Sequence, residues 1–262
     1  MSSYAILGAT GQVGGKVLQV LLNNPENELH VYVRSKSKLL KATPEVQENP
    51  KVQIFEGDLQ DVELISNCLR GTKAVFMTVA LTENLPGCSI SMDCSRVVVE
   101  ALRKIRHEQS AFKAPRLIVL SSAETSPWEQ FSKDVPRFVY NSLWCANGYI
   151  YTDLAKAEHY LEQQSDWLTS VFVKPGGLVD DKARGHKLSL DRCYTFMSYA
   201  DLAGAMVEVA DEEANRWDMK AVSMVPETVG GRFEWKAPYV LTKGLLAWFY
   251  PDMYMYIRGW LP

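Results

Sequence analysis

Three glycines set the first chemistry in this chain. Gly8, Gly11 and Gly14 recur at intervals of three directly after the apolar run Tyr4-Ala5-Ile6-Leu7. A pyrophosphate is held by backbone N–H groups, and glycine is the residue that lets them come close. On this reading Gly8 turns the chain where a Cβ would clash. Gly11 opens the backbone to the phosphates, and Gly14 lets the following helix lie against the strand. Thr10, Gln12 and Val13 fill the same loop and join the expected cofactor contacts. The spacing is G-x-x-G-x-x-G, not the G-x-G-x-x-G dinucleotide fingerprint, and a turn that binds nothing is the competing reading.

A second group follows the next strand. Enzymes that prefer the unphosphorylated dinucleotide place an acid about 20 residues on, to hold the ribose 2′-hydroxyl. Here the first residue after the strand is Arg34, followed by Ser35. A planar guanidinium can grip a 2′-phosphate and a hydroxyl can add a donor, so the pair predicts NADP(H). A solvated basic turn is the alternative, since Lys36 and Lys38 lie beside it. Further on, Asp58 can accept from an adenine amino group and Leu59 can cover the ring. Asp61 reads as the N-cap of the helix that follows.

These groups need strands and helices to place them. Val13, Val17, Leu18, Leu21 and Leu22 share one helical face. Strands are predicted over 29–33, 52–59 including its exit, 74–80, 116–122 and 167–173, and a helix over 91–106. Helical and strand patterns interleave from the N-terminus on, which predicts an α/β fold: a doubly wound parallel (Rossmann) sheet. Its ligand belongs beyond the carboxyl ends of the strands.

Bulk properties narrow the classes. The 262 residues suit one large domain, with a small C-terminal substrate lobe expected mainly from 176–198 and 212–262. Net charge is −3 without a basic block, which argues against nucleic acid as partner. The five cysteines, Cys68, Cys88, Cys94, Cys145 and Cys193, form no C-x-x-C, so reduced thiols in a cytoplasmic setting are expected, with no metal site. The first strand begins at once, leaving no signal peptide, and no apolar run is long enough to span a membrane.

Several motifs together carry a family resemblance: Gly8-Ala-Thr-Gly-x-x-Gly14, Val33-Arg34, Gly57-Asp58-Leu59, Leu120-Ser121-Ser122-Ala123, Lys156-Ala157-Glu158 and Lys174-Pro175-Gly176. Over about residues 4 to 210 the chain resembles an atypical short-chain dehydrogenase/reductase of the NmrA-like, NAD(P)-binding type. A weaker likeness is to small fungal oxidoreductases of aromatic polyketide pathways. The resemblance implies a Rossmann core, NADP(H) in an extended groove, Ala80 among the cofactor contacts, and Pro175 beside the nicotinamide.

The resemblance also implies a catalytic set. Many members use Ser, Tyr and Lys, with the tyrosine four residues before the lysine so that both share a helix face. The lysine lowers the phenol's pKa and holds the ribose. Ser122 matches the serine and Lys156 the lysine, but Thr152 stands where the tyrosine is expected. Tyr151 is one residue off and Tyr149 lies seven before Lys156. Three readings remain. Tyr151 acts from a loosened helix start; another group such as Tyr149, His186 or the substrate moves the proton; or there is no redox chemistry.

The stretch 126–148 is rich in aromatics (Trp128, Phe131, Phe138, Tyr140, Trp144) and has no clean period, so it reads as a long loop. A lid or substrate wall and an ordinary satellite core are equal readings of it. Trp128, Trp144, Tyr149 and His186 are the expected substrate contacts, His186 from a loop where a histidine is more often merely solvated. The aromatic tail from Pro238 on, broken at Pro251, is expected to cover the lobe or to pair with a second subunit. Together these readings predict an NADPH-dependent oxidoreductase acting on a bulky, largely apolar carbonyl, quinone or enone, of aromatic polyketide type, in secondary metabolism. The alternatives are a non-redox isomerase, cyclase or epoxide-opening enzyme on the same fold, or an NmrA-type dinucleotide-sensing regulator.

Overall fold

A computed structural model describes residues 2–228 and 234–260. The first half alternates strand and helix: β1 (Ser3–Leu7), α1 (Gln12–Leu22), β2 (Glu28–Val33), α2 (Lys36–Ala42), β3 (Val52–Glu56), α3 (Val62–Leu69), β4 (Ala74–Met77), α4 (Ile90–Glu108) and β5 (Arg116–Leu120). Then come α5 (Trp128–Phe131), α6 (Arg137–Ala146), α7 (Gly148–Glu162) and β6 (Ser170–Val173). The remainder is β7 (Leu178–Val179), β8 (His186–Ser189), β9 (Met197–Ser198), α8 (Tyr199–Asp211), β10 (Ala221–Pro226), α9 (Ala237–Phe249) and α10 (Pro251–Ile257).

One sheet runs in the order β3-β2-β1-β4-β5-β6-β10-β8. Every neighbouring pair is parallel except β10–β8. This is the doubly wound arrangement expected from the sequence, with the chain reversing direction across the sheet between β1 and β4. Side chains alternate across a strand, and β1 shows the consequence. Tyr4 and Ile6 enter an apolar layer with α1 and α8, whereas Ala5 and Leu7 enter the opposite layer with α3 and α4. Burial on both faces explains why the central strands read as continuous apolar runs.

Several helices are held at their starts by side chains. Asp61 accepts from Leu64 N–H at α3, as its position predicts. For α4 the capping carboxylate is foreign: Asp153 of α7 accepts from the N–H groups of Ser91 and Met92 at 2.8 and 3.1 Å. Asp153 thereby ties two helices of one layer together.

The expected lobe is redrawn. Of the segment 212–262, β10 is a strand of the main sheet; residues 229–233, 261 and 262 lie outside the described residues. The aromatic stretch 126–148 is helical, not a loop, as α5 and α6. Its period is hard to read because α6 buries little beyond Ala146 against the body of the protein. Its partner is α9, which approaches closely at Gly244: a Cβ there would collide with the carbonyl of Ala146. The cover of the site is thus α6 with α9 and α10, and the tail breaks at Pro251 as expected.

Candidate active site

The turn after β1 has the backbone geometry that the glycine spacing predicts. Gly8 has φ +100°, a conformation L side chains rarely adopt, and a Cβ on it would meet Thr78 at under 3 Å. A Cβ on Gly14 would collide with the Gly8 carbonyl and the Thr78 hydroxyl, so α1 can lie this close only through glycine. Gly11 differs. It is exposed, and a Cβ on it would meet only the Gly8 oxygen, at 3.2 Å. Its side-chain position therefore opens outward from the C-terminal edge of the sheet. Gly11 is the N-cap of α1 and supplies no side-chain cap. The N–H groups of Gln12, Val13 and Gly14 have no acceptor within the helix and carry its positive dipole end. This is a site an anion fits, and a side chain on Gly11 would fill it. The side chain of Val13 is core, so only its backbone serves here. Thr10 lies in the turn, partly exposed.

At the end of β2, Arg34 is exposed and Ser35 caps α2, accepting from Lys38 N–H at 3.3 Å. A hydroxyl that accepts from the helix still has its proton to donate. Arg34 after β2 and Asp58 after β3 both act electrostatically on the phenol of Tyr32. Burial, first, and Asp58, second, push that phenol up to about 12. Asp58 also accepts from Gln60 N–H and is exposed. Leu59 does not match its expected role: its side chain is buried in the core and cannot cover a ring. Glu56, which sequence reasoning passed over, accepts from Lys36 N–H at the start of α2. Ala80, partly exposed, begins the loop after β4.

The second half of the site lies beyond β5 and β6. Ser122 Oγ donates to Glu124 Oε2 at 2.6 Å. The side chains of Ser122 and Glu124 both act on the phenol of Tyr151. The structure therefore brings Tyr151 near Ser122 although the helix spacing turns it off the face of Lys156. Burial, first, and the charge of Glu124, second, push the Tyr151 phenol well up. Burial likewise pushes the Glu124 carboxyl up, against the influence of Ser122 and Tyr151. Tyr140 of α6 donates to the backbone carbonyls of Glu124 and Ser126 at 3.3 and 3.4 Å. Lys156 is exposed, and its charge reaches Cys88 in the loop between β4 and α4. Thr152, at the expected tyrosine position, donates to Gly148 carbonyl at 2.6 Å, so its hydroxyl is occupied by its own helix.

A buried ion pair supports this cluster. Lys174 Nζ lies 2.7 Å from Glu158 Oε2, with side-chain exposures of 4% and 10%. The same Nζ donates to Thr125 Oγ1 at 2.9 Å and Ser126 Oγ at 3.0 Å, while Glu158 accepts from Ser121 and Thr125. Ala123 N–H donates to Pro175 carbonyl at 2.9 Å. Residues 121–126 are thereby clamped to α7 and to the end of β6, which fixes where Ser122 and Glu124 point.

The aromatic residues sort differently. Trp144 and Tyr149 meet Trp248 of α9 at ring-centroid distances of 5.4 and 5.0 Å, beside Tyr151 in sequence. Asn84, 5% exposed, joins the layers of this cover: it accepts from Tyr149 N–H at 2.9 Å and donates to Gly244 carbonyl at 3.3 Å. Trp128 donates to Val135 carbonyl at 3.1 Å and lies under Arg137. His186 is not at the site. It sits on β8, its ring against Gly204, and meets Glu208 of α8 at 2.9 Å on the flank of the sheet. The edge strand β8, absent from the sequence reading, carries it there.

Glu124, the Lys174–Glu158 clamp and Asn84 were the missed parts of the site. The run Ser121-Ser122-Ala123-Glu124-Thr125-Ser126, one acid among four hydroxyls directly after a strand, was the available signal.

Comparison with known proteins agrees with this geometry. Residues 8–213 match a family model described as NAD(P)H-binding. The chain is 46% identical to oxidoreductase stcQ of Emericella nidulans over 98% of this chain and 94% of that one. It is 45% identical to oxidoreductase aflX of Aspergillus parasiticus, covering 98% and 95%. In fold it is similar to a short-chain dehydrogenase/reductase of Veillonella parvula solved with NADP, at TM-score 0.66 and 18% identity over 86% of this chain and 95% of that one. A Rossmann-fold NAD(P)-binding protein of Shigella flexneri aligns at TM-score 0.61 and 16% identity, covering 90% and 98%. Glycine turn, sheet order and relatives converge: the chain belongs to the NAD(P)H-binding family of oxidoreductases and has their Rossmann fold.

Proposed function

We propose that the protein is an NADPH-dependent reductase of a bulky, largely apolar carbonyl, quinone or enone of aromatic polyketide type, acting in secondary metabolism. The observation that carries the reading is Ser122 near Tyr151 beyond β5, with Trp144 and Tyr149 packed on Trp248 beside Tyr151 in sequence. Two hydroxyls near one another suit an oxygen that gains negative charge. Aromatic walls suit a flat apolar substrate.

The first-turn N–H groups of α1 would hold the pyrophosphate. Arg34 and Ser35 would hold the 2′-phosphate, Asp58 the adenine and Lys156 the ribose. A bound reduced nicotinamide supplies a hydride to the substrate carbon. On substrate binding Ser122 Oγ would turn from Glu124 to the substrate oxygen, and Tyr151 would pass that oxygen a proton. The test is anaerobic mixing with NADPH and candidate aromatic quinones and enones. Loss of the nicotinamide absorbance band is expected.

Product formation without cofactor consumption would mean acid-assisted isomerisation or ring opening instead. Glu124 favours that second reading, because an acid beside two hydroxyls serves either chemistry. A reducing, cytoplasmic setting accords with the five cysteines, all unpaired. No helix among the described residues is long and apolar enough to cross a membrane. The exposed Trp235, Tyr256 and Trp260 support self-association of the tail, which sedimentation would detect as a dimer lost in Trp260→Ser.

A further inference from the structure

We propose that Asn84 is a positioning residue: it latches the first turn of α7, which carries Tyr149 and Tyr151, to the C-terminal helix α9. The inference rests on the proposed function for what Tyr151 does, but its geometry stands apart from it.

A helix start leaves its first N–H groups without partners inside the helix. At α7 the capping position is held by Asn147, at φ −128° and ψ 15°, which gives no side-chain cap. Its amide is turned back into α6, where it donates to the Leu143 carbonyl at 3.1 Å. The cap comes instead from the loop between β4 and α4. Asn84 Oδ1 accepts from Tyr149 N–H at 2.9 Å. The amide nitrogen of Asn84 donates to the carbonyls of Gly244 in α9, at 3.3 Å, and Cys145 in α6, at 3.5 Å. One side chain thus meets an N–H on one side and carbonyls on the other. An amide satisfies both; a carboxylate has no donor and an alkyl group has neither. Asn84 is buried, so a lost partner is not simply replaced by bulk water.

The same loop grips the other side of Tyr149, because Cys88 Sγ donates to its carbonyl at 3.2 Å. Glu83, next to Asn84, takes the tail. It accepts from the hydroxyl of Tyr254 on α10 and lies 3.3 Å from Lys243 Nζ on α9. Packing behind the amide leaves no slack. A Cβ on Gly244 would collide with the Ala146 carbonyl, and one on Gly148 would strike the Trp248 ring. So α9 rests on the junction of α6 and α7 through two glycines. The loop is itself anchored at both ends. Thr78 donates to the Leu7 carbonyl through its N–H at 2.9 Å and its hydroxyl at 2.8 Å, and Ser91 and Met92 donate their N–H groups to Asp153 of α7.

Tyr151 stands two residues beyond Tyr149 in the same turn. Fraying or rotation of that turn moves Tyr151 relative to Ser122, which the Lys174–Glu158 clamp holds separately. Asn84 therefore acts through α7, without touching substrate or cofactor. Its two ends have separable effects. The oxygen holds the turn of Tyr151, so its loss should appear in the chemical step. The nitrogen holds α9 and with it Trp248, so its loss should appear in retention of the substrate.

Two substitutions separate these ends. Asn84→Ala removes both contacts, whereas Asn84→Asp keeps an acceptor for Tyr149 N–H and has no donor for Gly244. Amide hydrogen exchange of the protein without cofactor reads the latch directly. In Asn84→Ala, exchange over 147–152 and over α9 should both rise about tenfold or more, with the sheet strands unchanged. In Asn84→Asp only α9 should loosen. Tyr254→Phe, which cuts the Glu83 contact alone, should loosen α9 and α10 and leave 147–152 protected. Turnover gives the second readout. Asn84→Ala should lower kcat about tenfold or more, and Asn84→Asp should keep most of kcat while raising the substrate KM about tenfold. NADPH affinity should stay within about threefold in both. Unchanged exchange over 147–152 in Asn84→Ala overturns the proposal, and so do equal effects of the two Asn84 substitutions. Loosening that extends to the strands, or loosening of 147–152 by Tyr254→Phe, overturns it as well. If wild type oxidises no NADPH with any candidate, the redox reading fails and the exchange pattern alone decides the latch.

Discussion

The two halves of the site are made of different material. Around β1, α1 and β2 the groups proposed to hold the cofactor are backbone N–H groups and one guanidinium, and residues 8 to 35 supply nearly all of them. Beyond β5 and β6 the groups proposed to meet the substrate are side chains of Ser122, Glu124, Tyr140, Tyr151 and Trp248, drawn from a span of more than a hundred positions. The first half is stiff because a turn and a helix end are stiff. The second is held by a buried ion pair, a foreign helix cap and an asparagine joining three elements. A phosphate cradle can therefore be altered only by clashing with it. A proton site can be altered by loosening what stands behind it.

The largest effect should come from the cradle. Gly11→Val puts a side chain where the phosphates belong while touching little of the protein itself. Dinucleotide binding should become unmeasurable with the melting temperature nearly unchanged. Normal NADPH binding by this variant would place the phosphates elsewhere and end the contrast.

The clamp predicts the opposite pattern. Lys174→Met leaves Glu158 buried without its charge partner, which typically costs about 3–5 kcal/mol. Thermal stability and turnover should fall together, and Lys174→Met with Glu158→Leu should recover much of the stability. If the single variant is as stable as wild type, the second half is not held in the way described.

Arg34→Ala should weaken NADP(H) about ten- to a hundredfold, as expected for loss of a hydrogen bond between charged groups, with little change for NAD(H). Titration of both dinucleotides decides it, and equal losses would remove the 2′-phosphate role. Glu56 stands nearby at the start of α2. Its carboxylate should repel the phosphate, so Glu56→Gln should sharpen the NADP(H) preference a few-fold.

The smallest effect concerns pH and stability. The folded protein binds the Glu124 proton more tightly than the unfolded chain does. That contribution is fully present below the ordinary carboxylate range and is lost as pH rises through the raised pKa of Glu124. The stability of wild type relative to Glu124→Gln should therefore fall as pH rises from acid toward neutral. Parallel melting curves across that range would show that the carboxyl is not perturbed.

The difference in material also explains what could be read in advance. The turn at Gly8 and the close approach at Gly14 were legible because local conformation leaves a trace in residue spacing. The apolar runs of β1, β4 and β5 were legible because strands buried on both faces admit little else. Asp61 was legible for the same local reason, as a helix cap. The surroundings of Tyr151 and Lys156 were not legible, because helical spacing says which residues share a face but not which loop meets that face. Only the packing of α7 against residues 121–126 decided that Tyr151 comes under the influence of Glu124, while Thr152 bonds its own helix. His186 was moved off the site by an edge strand formed through pairing with β10, which nothing near it in sequence announces. Leu59 was claimed by the core. Backbone geometry over a few residues determines the cradle; the proton site is decided by long-range contacts, and these exist only once the sheet and its covering helices have closed around it.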